Sequence, residues 1–185
     1  RYYAYYPTLA SLFNGGVQHR ISLGRLRDQG LLHTRPLTFS TRPAVPATGK
    51  VVEISIPGTV SGFRARPALM YLPPAWFHRP RPPLPTILLL SGAPGRPSDW
   101  FRAGLADHTA NMWARTHGGQ APILVVADQN GSFTGDTECV DRRGSRPETY
   151  LTTDVRRYVI GTFDASPEPG LWAVAGLSEG GTCAA

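Results

Sequence analysis

The chain has 185 residues, enough for one domain with a sizeable core or for part of a larger one. Its 41% hydrophobic and 17% charged residues argue against a disordered segment, and the longest apolar stretch, Ile87-Leu88-Leu89-Leu90, is the size of a strand and too short to span a membrane. The net charge of +6 is carried almost wholly by arginines, and Arg20, Arg25, Arg27, Arg35, Arg42, Arg64, Arg79, Arg96 and Arg142 are dispersed without the stripe or motif that nucleic-acid binding needs.

Residues 1–49 read as an N-terminal extension or linker, opening on a cluster of Tyr2, Tyr3, Tyr5 and Tyr6 and continuing with polar and basic residues. The chain starts at Arg1 rather than at methionine, so a processed signal peptide or an anchor upstream is compatible with it. From Lys50 the pattern becomes regular. Val51 to Ile56 forms a strand ended by Pro57-Gly58, and Phe63 to Leu72 a second, in which Pro67 requires an edge or a bulge. A proline-rich connection leads to Thr86–Leu90, whose unbroken apolar character suits a central strand buried on both faces.

Ser98-Asp99 offers the N-cap of a helix running to about His117, with Trp100, Leu105 and Met112 among its apolar residues. Pro122 to Ala127 is another buried strand. The polar stretch from Asp128 to Pro147 is long enough to suggest a functional loop. A second helix spans Glu148 to about Phe163, with Tyr150, Leu151, Val155, Tyr158, Val159 and Phe163 on its apolar face. Leu171 to Ala175 is the last strand, read as a buried parallel one. This alternation predicts an α/β fold: a mostly parallel sheet with helices on both faces and an antiparallel entry.

The last strand runs into Gly176-Leu177-Ser178-Glu179-Gly180, the pattern of a nucleophile elbow, in which a strand turns sharply into a helix and exposes a serine above the sheet. Ser178 is the candidate nucleophile. The small residues from Gly181 to Ala185 suit a closely packed helix, whose first amides favour negative charge near the serine.

Cys139 and Cys183 lack zinc-ligand spacing and leave two readings open: independent thiols, or a bridge between the loop after a central strand and the elbow helix. No metal site is expected. Gly92-Ala93-Pro94-Gly95 lacks the lysine and hydroxyl residue of a phosphate-binding loop, so no cofactor is expected either.

Taken together, Thr86 to Ala93, Ile123 to Asp128, Glu148 to Val155 and Ala175 to Gly181 resemble the putative-esterase branch of the α/β-hydrolases, which contains esterase-D-like enzymes and the mycolyltransferases of actinobacterial envelopes. The resemblance covers about residues 50–185, taken as the N-terminal portion of an α/β-hydrolase catalytic domain, incomplete at the C-terminus. It implies attack by Ser178 on an ester carbonyl, an acyl-enzyme, and transfer of the acyl group to water or an acceptor alcohol. It also implies an oxyanion hole made by the backbone amides of Glu179 and Ala93.

Two positions depart from the family pattern: Ser91, where histidine or aspartate is common, and Glu179, where methionine is frequent. The Glu179 carboxylate is expected to point away from the oxyanion or to pair with an arginine. A larger departure concerns the base. In this fold the acid and histidine follow the serine, whereas His19, His33, His78, His108 and His117 all precede Ser178, as do the acids Asp128 and Asp136.

The leading expectation is therefore a portion of a serine esterase or acyltransferase acting on an acyl ester, small molecule or lipid, outside the cytoplasm, with any membrane association through residues outside this chain. The competing one is a noncatalytic α/β-hydrolase-fold protein that binds a cell-envelope ligand or partner. Because the downstream acid and histidine are missing here, the residues alone leave open whether the chain is an enzyme.

Overall fold

The computed structural model describes residues 17–32 and 44–185, so Tyr2, Tyr3, Tyr5, Tyr6, His33, Arg35 and Arg42 lie outside the described residues. Six strands form one sheet: β1 (Arg20–Ile21), β2 (Lys50–Ile54), β3 (Ala68–Leu72), β4 (Thr86–Leu90), β5 (Ile123–Val126) and β6 (Trp172–Gly176). Their order across the sheet is β1-β2-β3-β5-β4-β6. Only β3 runs against the others. It pairs antiparallel with β2 (Val52 opposite Met70) and with β5 (Met70 opposite Val125), while β4 is parallel to both β5 and β6.

Alternation along these strands divides the side chains between two cores, because successive residues of a strand face opposite sides. Val52, Ile54, Met70, Leu72, Leu88, Leu90, Ile123 and Val125 face one side, where Trp76, Tyr150, Val155, Val159 and Phe163 close over them. Val51, Leu69, Tyr71, Leu89, Leu124 and Val126 face the other, covered by Phe101, Ala110 and Ala114. This is why β4 and β5 read as continuous apolar runs.

Six α-helical segments and a π-helical turn are the main helices among the described residues: α1 (Leu23–Asp28), α2 (Asp99–Arg102), α3 (Ala106–Thr116), α4 (Pro147–Thr149), the π turn Tyr150–Val155, α5 (Arg156–Phe163) and, after the elbow, α6 (Glu179–Ala184). The π turn joins α4 to α5, giving one helical rod over residues 147–163. A π turn widens the helix by one residue. It carries Asp154, whose carboxylate accepts from Thr59 Oγ1 (3.0 Å), Val60 N (2.9 Å) and Ser61 N (3.0 Å), fixing the turn between β2 and β3.

Several sequence expectations change. Within the stretch read as an extension or linker, β1 pairs with β2 and α1 is capped by the Ser22 hydroxyl, which accepts from Arg25 N at 3.1 Å. Leu26, Leu31 and Leu32 are buried in the first core. Residues 17–32 are thus a docked extension. The second strand starts at Ala68 rather than at Phe63, because Pro67 has no N–H for the ladder and the Arg66 amide donates to Asp128 Oδ2 at 2.6 Å instead. Strand β3 is internal, and Pro67 precedes it.

The helix expected from Ser98 to His117 is two, broken where Leu105 takes a left-handed φ of 50°. A side chain at Gly104 would meet the Trp100 carbonyl oxygen at 2.7 Å, so glycine permits that sharp break. Ser98 makes no side-chain cap. Asp99 Oδ2 instead accepts from Arg96 N at 2.9 Å. Finally, β6 is an edge strand of the described sheet and is not buried on both faces: Ala173 and Val174 are exposed, since β4 alone pairs with it.

Candidate active site

Strand β6 ends at Gly176, and the chain turns within two residues into α6. The ladder with β4 carries on into the turn, where Leu177 N donates to Leu90 O at 3.1 Å. Ser178 then takes φ 56° and ψ −124°. A non-glycine residue in such a region is strained by about 1–3 kcal/mol, and strain of this kind clusters at functional positions. Ser178 is exposed, and its hydroxyl is not used to cap α6.

Glycines on both sides make the turn possible for a steric reason. A Cβ on Gly176 would lie 1.9 Å from the Gly180 carbonyl oxygen, and one on Gly180 would lie 2.4 Å from the Leu90 carbonyl oxygen. The strand, the helix and the end of β4 touch backbone to backbone. Gly92 performs the same service from the loop after β4: a Cβ there would stand 3.1 Å from the Ser178 Cβ and 3.3 Å from the Leu177 carbonyl oxygen. The Ser91-Gly92-Ala93 loop is therefore pressed against the serine.

Near this junction the Glu179 carboxylate has a definite set of partners. Its Oε2 accepts from Gln129 Nε2 at 3.0 Å and from Asn130 Nδ2 at 2.9 Å. It is turned toward the loop after β5, and its partners are two amides where an arginine was one of the expected outcomes. The Gln129 carboxamide also donates to the Ser91 carbonyl oxygen. Gln129 is 2% exposed.

Behind them, Asp128 is buried and fully engaged. Arg66 reaches it through its backbone N and its Nη2, both at 2.6 Å, and Gly131 N donates at 3.0 Å. Asp128 is thus a bracing group for the loop and is not free for proton transfer. Asp136 is exposed and accepts from Glu138 N at 3.2 Å within its own loop.

Cys139 and Cys183 are bonded to each other, with Cα atoms 5.6 Å apart, so the loop after β5 is tied to α6 covalently as well as through Glu179. The same sulfurs and a Glu179 carboxylate oxygen gather within 4.8 Å. Bonded sulfurs carry no thiolate, so this cluster is not a metal-ligand set.

No described histidine hydrogen-bonds the Ser178 hydroxyl. His78 and His117 stand before β4 and β5, at the amino ends of parallel strands whose carboxyl ends carry the elbow. His117 stacks on Trp113 with ring centroids 3.7 Å apart. His19 and His108 act on Asp107, whose carboxyl burial raises and whose neighbouring amides and histidines pull back.

The residues that sequence reasoning missed are Gln129 and Asn130. Their signal was position: the polar run Asp128-Gln129-Asn130 directly follows a buried parallel strand, at the carboxyl edge where ligand sites of open α/β sheets form.

Residues 63–185 match the family described as "Putative esterase". Over 98% of its length the chain is 41% identical to an uncharacterised protein of Corynebacterium glutamicum, of which it spans 42%. Among solved structures, a ferulic acid esterase superposes with a TM-score of 0.65 at 21% identity, over 76% of this chain and 53% of that one. An S-formylglutathione hydrolase from Agrobacterium tumefaciens gives 0.57 at 17% identity, over 78% and 54%. Both likenesses establish the α/β-hydrolase type of fold, and the chain spans about half of each.

Proposed function

The chain belongs to the "Putative esterase" family, and on that premise we propose that it carries the nucleophile-bearing part of a serine esterase in which Ser178 attacks the ester carbonyl. The observation that carries this reading is the strained, exposed Ser178 at φ 56°, held between Gly176 and Gly180 and touched by the Gly92 loop. A serine that serves only as a turn residue has no need of that strain. The substrate is an acyl ester of a small molecule or lipid.

In this mechanism the Ser178 hydroxyl loses its proton to a base and its oxygen adds to the carbonyl carbon; the ester C–O bond then breaks, the same base returns the proton to the departing oxygen, and the alcohol leaves an acyl-enzyme behind. The oxyanion is met by the backbone amides of Glu179 and Ala93, the first following the nucleophile and the second lying in the loop against it. Among the described residues neither amide is engaged elsewhere in the backbone network. Water then releases the acid, or an acceptor alcohol takes the acyl group. Hydrolysis and transfer share every group described, and they differ only in what reaches the acyl-enzyme. The disulfide suits an extracytoplasmic location.

Intact-mass measurement after incubation with a fluorophosphonate, on this chain and on Ser178→Ala, tests the proposal. One adduct on the parent chain and none on the variant is the expected result. A folded parent chain that takes up no adduct overturns activation of Ser178 within these residues and leaves a nucleophile activated only by residues outside this chain, or a binding role for the same fold.

A further inference from the structure

The two amide donors assigned to the oxyanion sit on separate elements: Glu179 opens α6, and Ala93 lies in the loop after β4. An oxyanion hole works only when both amides point at one place, so something must fix the separation of loop and helix. One side chain spans the gap. The Gln129 carboxamide nitrogen donates to the Ser91 carbonyl oxygen, two residues before Ala93, and to Glu179 Oε2 at 3.0 Å.

We propose that Gln129 is a positioning residue for the reaction, a buried strut that holds the Ser91-Gly92-Ala93 loop and α6 at the spacing the oxyanion needs, with the Glu179 carboxylate as its anchor. This inference rests on the reading of Ser178 as nucleophile. Its chemistry is selective. Both ends of the strut are acceptors, a carbonyl and a carboxylate, so the bridge needs two N–H donors in one small group, and a primary carboxamide presents both on one nitrogen. An ionised glutamate in the same place would present acceptors only.

The strut also accounts for an acid directly after the nucleophile. A free carboxylate there would oppose negative charge developing on the substrate. Glu179 is instead held by donors from Gln129 and from Asn130 Nδ2 at 2.9 Å, and it is drawn toward the loop after β5. Because Gln129 is almost fully buried, these bonds face little competition from water.

Two readouts test the strut, on Gln129→Glu, Gln129→Ala, Glu179→Ala, Glu179→Gln and the double variant Gln129→Glu/Glu179→Gln. The first is the rate constant for fluorophosphonate labelling of Ser178, on chains shown to be folded by thermal melting. Gln129→Glu and Gln129→Ala are expected to label roughly 10- to 100-fold more slowly, the scale of a misplaced oxyanion donor. Glu179→Gln, which keeps an oxygen for the amides, should lose less than Glu179→Ala. The double variant restores a glutamine–glutamate pair but no donor to the Ser91 carbonyl, so it should stay slow.

The second readout is hydrogen exchange by mass spectrometry, which needs no chemistry at Ser178. Gln129→Glu should speed exchange in the peptides containing residues 91–93 and 177–180 and leave β3 and β5 protected. Unchanged exchange in those peptides overturns the strut, as does a folded Gln129→Glu chain labelling at the parent rate or a double variant restored to it. A parent chain that does not label while Gln129→Glu loosens those peptides leaves the strut standing as a structural brace, and overturns both the activation of Ser178 within this chain and the assignment of Gln129 to its reaction.

Discussion

The helical rod over residues 147–163 and the short helix α6 pack against the same sheet by opposite means. The rod is held by apolar burial: Tyr150, Leu151, Val155, Val159 and Phe163 are buried, and Trp76 lies against Phe163 while its Nε1 donates to the Phe163 carbonyl oxygen at 2.7 Å. Helix α6 has almost nothing large to bury. Glycine permits its close approach to β4 and β6, and two polar ties from Glu179 and one disulfide hold it to the loop after β5. Burial is non-directional and tolerates small shifts, whereas hydrogen bonds and backbone contact fix a geometry. A serine held at a strained backbone conformation requires the second kind of support.

The largest effect that can break this contrast lies in the rod. Phe163→Ala should destabilise the fold by about 3–5 kcal/mol, through lost burial and the cavity left behind, read as a shifted urea midpoint. A loss below about 1 kcal/mol would mean that the rod is not held by burial. Next in size, converting both cysteines with Cys139→Ser and Cys183→Ser should lower stability by about 2–4 kcal/mol, as expected when a covalent loop is opened. The bridged residues are 44 apart in sequence. Exchange should quicken in residues 128–147 and in α6 and stay slow in the rod; quickening of the rod instead would show that the two supports are not separate.

The smallest effect sharpens the comparison, because it concerns a polar tie placed on the apolar rod. Asp154→Asn turns one acceptor oxygen into a donor among three donors and should destabilise by about 1–3 kcal/mol. Burial alone would raise the Asp154 carboxyl, but its hydrogen bonds from Ser61, Val60 and Thr59 hold it below the ordinary value. A lowered folded pKa stabilises above the unfolded value of about 3.9, and that share fades as pH falls through the folded pKa. The gap in stability between parent and variant should therefore be full at neutral pH and close in acid. A gap independent of pH would assign the effect to packing.

Sequence pattern alone carried much of this protein. The alternation of β4, β5 and their helices specified a parallel sheet with two buried faces, since a strand covered on both sides must be apolar at every position. Gly176 and Gly180 marked the elbow because a Cβ at either position would come within 2.4 Å of neighbouring backbone, so only glycine fits there.

Tertiary structure decided what depends on partners distant in the chain. The Arg66 amide chose Asp128 over the sheet ladder, which moved the start of β3 to Ala68. The helix expected through His117 broke at Leu105, where the backbone turns left-handed. Gln129 could not be read as a strut from its own neighbourhood. Its partners, Ser91 and Glu179, lie 38 and 50 residues away, and a hydrogen bond between such positions leaves no periodicity in the sequence. It exists only once the carboxyl ends of β4, β5 and β6 have been brought together.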